Sequence, residues 1–396
     1  MTVGIVKMII KNIKVYTEKN KFEDGIIITK SDRIEQVMQG VEPQCINNEN
    51  EEIIDGQGCY CIPGMIDLHF HGCKGYDFCD GTLEAIDQIA RYEASIGVTS
   101  IAPATMTLPV AELEQILKTG ADYRKKQLEE NMISRADLVG INMEGPFISK
   151  IKKGAQDERN IVPCDIDVYR RFQKAADGLV KFIGIAPEES DTDEFIKTVK
   201  GEVSVSLAHT NADYDKAKKA FDAGANHAVH LYNAMPPFTH REPGVVGAVA
   251  DSKHVMAEII CDGIHIHPAT VRATFEMLGK ERMVLISDSM RAAGMPDGQY
   301  TLGGLDVKVK GKHATLVSDG ALAGSVTTLP DCVRTVVREM QIPLETAIAC
   351  ATINPAKSLG IDKLYGSIQQ GKKANLVLWD KELNLKAVIK DGKLLE

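Results

Sequence analysis

The sequence predicts an α/β protein: a (β/α)8 barrel of the TIM type with a small β-sandwich domain built from both chain ends. Three observations predict it. Apolar strand-like runs alternate with amphipathic helical stretches through the middle of the chain. Both ends of the chain are strand-rich and the middle is not. Metal-capable side chains recur where the apolar runs end, the rim on which such a barrel keeps its chemistry.

The 396 residues exceed what one ordinary core serves, yet suit one barrel with an appendage. A net charge of -9 argues against a nucleic-acid or anionic-membrane surface. No apolar run is long enough to span a bilayer, and the opening Met1-Thr-Val-Gly-Ile-Val-Lys7 is broken by charge before any leader-like region forms. With nine scattered cysteines, this predicts a cytoplasmic protein with free thiols. Cys59, Cys61, Cys73 and Cys79 cluster near His69, but their spacing is not that of a Cys-x-x-Cys pair.

The elements follow in order. Runs 7–16, 25–29 and 51–55 read as short strands of the small domain, residues 1–62. The barrel is expected over 63–369, with strands around 66–71, 100–104, 138–143, 181–186, 203–208, 227–231, 255–261 and 283–287. Helices over 83–96, 109–129, 165–176, 192–199 and 214–223 fit between them, with Gly97, Gly201 and Gly224 at their stops. A hairpin-like insert over 300–322 follows the eighth strand, then helices over 326–340 and 343–359. The tail, 370–396, returns to strands at 374–379 and 385–391, with an Asp391-Gly392 turn, and completes the small domain.

The strand ends carry the chemistry. His69 and His71 close the run Cys61-Ile-Pro-Gly-Met-Ile-Asp-Leu-His-Phe-His71. On a strand, residues two apart share a face, so the pair makes half of a transition-metal site. The plainer reading is two polar residues at a strand end, hydrogen-bonded and inert. Glu144, His209 and His230 end the third, fifth and sixth strands. One carboxylate and two imidazoles suit a catalytic metal site with an open position. His69 and His71 either hold a second cation or support the first. Imidazole and carboxylate fit Zn2+ and Fe2+ alike, one or two per subunit. Asp288 ends the eighth strand and reads as a general acid and base, or as a helix N-cap.

The motifs in order resemble the amidohydrolase superfamily. They are Pro63-Gly-Met-Ile-Asp-Leu-His-Phe-His-Gly72, Met143-Glu-Gly-Pro-Phe147 with Lys153-Gly-Ala-Gln156, Ala208-His-Thr-Asn-Ala212, His230-Leu-Tyr-Asn-Ala-Met235, His240-Arg-Glu-Pro-Gly244, Asp262-Gly-Ile-His265, Ser287-Asp-Ser-Met-Arg-Ala-Ala-Gly-Met-Pro-Asp-Gly298 and Leu322-Ala-Gly-Ser325. Within that superfamily they are similar to the branch that removes the acetyl group from N-acetyl-D-glucosamine 6-phosphate, giving D-glucosamine 6-phosphate and acetate. The resemblance implies the metal-dependent barrel, the small β-domain and a homodimer.

It also implies roles. Glu144, His209 and His230 would be metal ligands and Asp288 the catalytic carboxylate. Ala155, Gln156, Asn233, Ala234, Leu322, Ala323 and Gly324 would contact the sugar phosphate. His265 or Gln156 would donate to the substrate carbonyl. His240 and Arg241 would reach a partner's active site and read the phosphate. Gln156 stands where some relatives carry His, and Gln cannot share a titrating proton. Amidohydrolases acting on other N-acyl or cyclic amides often use a bridging carboxylated Lys; the rim here offers Glu144 and no such Lys. A non-catalytic binding barrel would lack the ligands or Asp288. His227, His254, His267 and His313 read as ordinary histidines, and Arg291 and Asp297 as ordering the loop after Asp288.

Overall fold

The computed structural model of the chain describes residues 7–40, 52–189 and 192–395. Glu51, the first residue of one expected strand, lies outside them. A seven-stranded sheet joins both chain ends. Lys7–Tyr16 pairs antiparallel with Phe22–Lys30 and parallel with Glu52–Pro63. Leu376–Trp379 pairs antiparallel with the far half of Glu52–Pro63, and Leu385–Lys390 pairs with Leu376–Trp379. Met8, Ile10, Ile13, Ile27, Leu376 and Ile389 share a core of their own. Arg33–Gln39 adds an edge strand that the sequence did not announce. Ile34 is its one fully buried side chain, too little periodicity to read.

The barrel opens directly after this sheet, at Met65–Asp67. Going round, Val98–Ile101 with Ala104–Thr105 and Asp137–Leu138 with Ile141–Phe147 form the interrupted second and third strands. Val180–Ile185, Ser204–Leu207, His227–Ala228, Met256–Ile260 and Met283–Ile286 continue the parallel order. The ring closes where the His71 N–H donates to the Ser289 carbonyl at 2.7 Å and the Asp288 N–H donates to the His69 carbonyl at 3.0 Å.

Amphipathic helices cover the outside, beginning with Leu83–Ser95, whose N-terminus is capped by the Thr82 hydroxyl at 3.1 Å from the Ala85 N–H. Gly97 follows it at φ 94°, a conformation that Gly adopts without a Cβ clash. Two helices not expected from sequence are Gly244–Asp251 and Pro268–Leu278. The first is apolar almost all round, so it carries no helical period. The expected helix over 343–359 is two, Leu344–Ala351 and Ile353–Ser358. Pro355 has no N–H to donate back to Ala351, so one helix cannot run through. The insert is a three-stranded antiparallel sheet, Gly298–Leu302, Leu305–Lys310 and His313–Leu316, packed on Met106 and Met290.

One correction bears on the site. The first barrel strand stops at Asp67, so His69 and His71 lie beyond it. Strand alternation therefore does not orient them. Their backbone groups bond to Asp288 and Ser289 instead, and that pairing across the closure sets their direction.

Candidate active site

Three rim residues leave their strands in a left-handed conformation: His209 at φ 44°, His230 at φ 27° and Asp288 at φ 48°. L-residues avoid this region, at a cost on the order of 1–3 kcal/mol each. The sharp turn takes the backbone away and leaves each side chain on the barrel mouth.

Glu144 is the hub. Its Oε1 lies 3.0 Å from His209 Nε2, 2.8 Å from His230 Nε2 and 3.3 Å from His69 Nε2. Its Oε2 lies 3.3 Å from His71 Nε2. Asp288 Oδ1 faces His71 Nε2 at 3.3 Å and His69 Nε2 at 3.8 Å. All six side chains are buried.

The donor set fits a divalent cation. His209 Nδ1 bonds the Lys152 carbonyl at 2.9 Å and His230 Nδ1 bonds the Asn233 carbonyl at 3.1 Å. A carbonyl only accepts, so both Nδ1 atoms donate, and when such a ring loses its other proton the bare Nε2 lone pair faces inward. Those two Nε2 atoms are 3.2 Å apart and both face a carboxylate oxygen. Acceptors crowded together need positive charge between them. Among the described residues two groups meet this description, His69–His71–Glu144 and Glu144–His209–His230, each with ligand atoms within 4.8 Å of one another. His69 Nε2 and Asp288 Oδ1 are buried without a hydrogen-bond partner.

The electrostatics agree. Burial opposes charge on His71, yet Asp288 and Glu144 push its pKa up to about 10. Burial raises the Glu144 carboxyl, but the His209 and His69 imidazoles overcome this and hold it well below its ordinary value. A field that retains protons here would also retain a cation.

A cavity of about 180 Å3 opens over this cluster, and Ala155, Gln156, Asn233, Ala234, His265, Leu322 and Gly324 line it with five of the six cluster residues. His69 lies behind it, wholly buried. Ala323 is buried between two lining residues and does not itself line the cavity. His240 and Arg241 are exposed, hydrogen-bonded to each other at 2.6 Å, and do not line this cavity. His265 Nδ1 is held by Asp262 Oδ2 at 2.8 Å, leaving Nε2 for the cavity. Gln156 donates from Nε2 to Glu144 Oε2 at 2.7 Å and accepts the Thr107 N–H at 2.6 Å. Arg291 does order the following loop, through Asp80 Oδ1 at 2.8 Å and the Thr301 carbonyl at 3.0 Å.

Sequence reasoning missed Glu258 and set His227 aside as ordinary. Glu258 Oε2 lies 2.7 Å from His69 Nδ1, and its Oε1 lies 2.9 Å from His227 Nε2. The available signal was a carboxylate inside an apolar run, Val255-Met-Ala-Glu-Ile-Ile260. Cys59, Cys61, Cys73 and Cys79 are free thiols, and no cysteine joins a metal-capable group among the described residues.

Barrel, rim cluster and buried carboxylate hub define a hydrolase of the amidohydrolase class, and the chain belongs to the amidohydrolase family, whose profile matches residues 60–395. Within that family, the N-acetylglucosamine-6-phosphate deacetylase of Bacillus subtilis (strain 168) is 38% identical over 373 residues, 94% of this chain and 92% of that protein. The N-acetylgalactosamine-6-phosphate deacetylase of Escherichia coli O157:H7 is 35% identical over 333 residues, 84% of this chain and 86% of that protein. A mutant N-acetyl-D-glucosamine-6-phosphate deacetylase from Mycobacterium smegmatis, solved with N-acetyl-D-glucosamine-6-phosphate, superposes with a TM-score of 0.89 at 29% identity, covering 98% of this chain and 99% of that one. No described helix is long and apolar enough to cross a membrane.

Proposed function

We propose that this chain hydrolyses the acetyl amide of N-acetyl-D-glucosamine 6-phosphate, releasing D-glucosamine 6-phosphate and acetate in the cytoplasm. The observation that carries the reading is the meeting of Glu144, His209 and His230 at one mouth, with Asp288 on the same cavity facing His71. Similarity to deacetylases of amino-sugar 6-phosphates supplies the substrate.

Glu144, His209 and His230 would hold one cation, Zn2+ or Fe2+, and His69 and His71 with Glu144 a second. When bound, such a cation lowers the pKa of a water and polarises a carbonyl oxygen. Asp288 takes the proton of the attacking water and delivers it to the departing nitrogen as the C–N bond breaks. Burial opposes charge on His265, yet Asp262 at its Nδ1 raises its pKa, so His265 acts as the imidazolium and donates from Nε2 to the acetyl oxygen. Gln156 already uses its amide on Glu144 and Thr107, so the carbonyl falls to His265. Asn233 and Ala234, with the chain at Leu322–Gly324, contact the sugar. In a homodimer, His240 and Arg241 of one protomer read the phosphate at its partner's site.

The test is acetate release from purified, cation-loaded protein. N-acetyl-D-glucosamine 6-phosphate should be cleaved much faster than unphosphorylated N-acetyl-D-glucosamine. The galactosamine epimer belongs in the same assay, because a 35%-identical relative carries that substrate's name. Preference for that epimer would move the assignment to it, and no acetate from any of the three would end it.

A further inference from the structure

We propose that Glu258 is the positioning residue that makes His69 a cation donor and ties the first strand of the barrel to the sixth. Glu258 sits within Met256–Ile260, between Ala257 and Ile259, and is 0% exposed. A carboxylate in such a place persists only if its oxygens are satisfied. They are satisfied by His69 Nδ1 at 2.7 Å, His227 Nε2 at 2.9 Å and the His230 N–H at 3.2 Å.

Two consequences follow from hydrogen-bond chemistry. An ionised carboxylate only accepts, so His69 must donate from Nδ1. In the neutral ring that a cation requires, its Nε2 is then the lone pair, wholly buried, 3.3 Å from Glu144 Oε1 and without a hydrogen-bond partner. Glu258 thus chooses the tautomer that a cation requires. Second, one oxygen, Oε2, takes both the His69 ring and the His230 backbone N–H. The His230 turn, at φ 27°, and the His69 ring are therefore set by the same atom. His227 anchors the opposite oxygen and stops the carboxylate from rotating.

The inference rests on the cation reading and is independent of the substrate. Its test is a Co2+ titration of cation-free protein, followed by visible absorption, for wild type, Glu258→Gln, His69→Gln and the double variant. Gln is isosteric and still accepts one N–H, so cation-free Glu258→Gln should melt near wild type. It should bind Co2+ about 10–100-fold more weakly, with shifted visible bands. In the His69→Gln background, Glu258→Gln should add little further loss, because Glu258 acts through His69. A Glu258→Gln titration and spectrum matching wild type would overturn the proposal, as would losses that simply add. If Glu258→Gln does not fold, Glu258→Asp replaces it; Asp keeps the charge but withdraws it from His69, with the same expected loss and the same overturning result. Wild type that binds no Co2+ would remove this proposal and the cation reading together. Normal Co2+ binding without acetate release would remove the substrate reading alone.

Discussion

Gln156 spans the gap between Thr107 and Glu144, accepting the Thr107 N–H at 2.6 Å and donating to Glu144 Oε2 at 2.7 Å. The backbone donor settles which way the amide points. Gln156→Ala leaves both partners buried and short of a hydrogen bond. The expected loss is about 1–3 kcal/mol of stability, measured by urea unfolding of cation-free protein. An unchanged midpoint would mean that water replaces the amide at no cost.

Asp288→Asn keeps the shape and removes the proton carrier. Turnover should fall about 100-fold to 10,000-fold while cation content stays at the wild-type level. Elemental analysis beside the acetate assay separates the two effects. Near-normal turnover would take Asp288 out of the chemistry.

Cation loading should release protons. His71, pushed up to about 10, carries a proton at neutral pH in the cation-free protein, and a ligand nitrogen must be neutral. Apparent affinity should therefore climb as pH rises through the neutral range and level off above about 10. Calorimetry in buffers of different ionisation enthalpy counts the protons; a buffer-independent heat would contradict this. Chelation should abolish acetate release, and Zn2+ or Fe2+ should restore it.

Arg241→Ala should raise KM for the phosphorylated sugar and leave the unphosphorylated one nearly untouched, because Arg241 is exposed and outside its own cavity. If it serves a partner, mixing Arg241→Ala with Asp288→Asn should yield activity that neither variant has alone. Sedimentation should show a dimer. A monomer with full activity would remove the cross-protomer role.

The seam between the end-built sheet and the barrel carries a buried ionic cluster. Lys390, 0% exposed, reaches Asp137 at 3.0 Å and Asp391 at 2.5 Å, and Lys373 meets Asp391 at 2.8 Å. Lys390→Met takes the buried cation from Asp137 and leaves Asp391 with Lys373 alone, and should cost about 3–5 kcal/mol. Burial raises the Asp391 carboxyl, but Lys390 and Lys373 overcome this and hold it below its ordinary value. Its contribution is therefore complete above the ordinary carboxylate pKa and disappears as pH falls through the depressed one. Unfolding of Asp391→Asn should lose that part of the acid dependence; an acid limb identical to wild type would contradict it.

Much of this was legible in the sequence. Helices with a clear apolar period, such as Leu83–Ser95 and Thr192–Val199, fall where the pattern put them. Gly244–Asp251 has no polar face and left no period to read. Arg33–Gln39 is an edge strand with one fully buried side chain. The rim residues Glu144, His209, His230, His265 and Asp288 do meet at one cavity. His69 and His71 join the same cluster, but through the barrel closure rather than through the strand alternation that first singled them out.

The amino-acid order alone determined which chemical groups stand at the ends of the apolar runs, because burial selects apolar strands and leaves polar side chains at their termini. Only the tertiary structure decided which nitrogen of each imidazole faces inward. That choice belongs to hydrogen-bond partners remote in the chain, as when Glu258 meets His69 across 189 residues. No local pattern encodes such a contact; it exists once the barrel has closed.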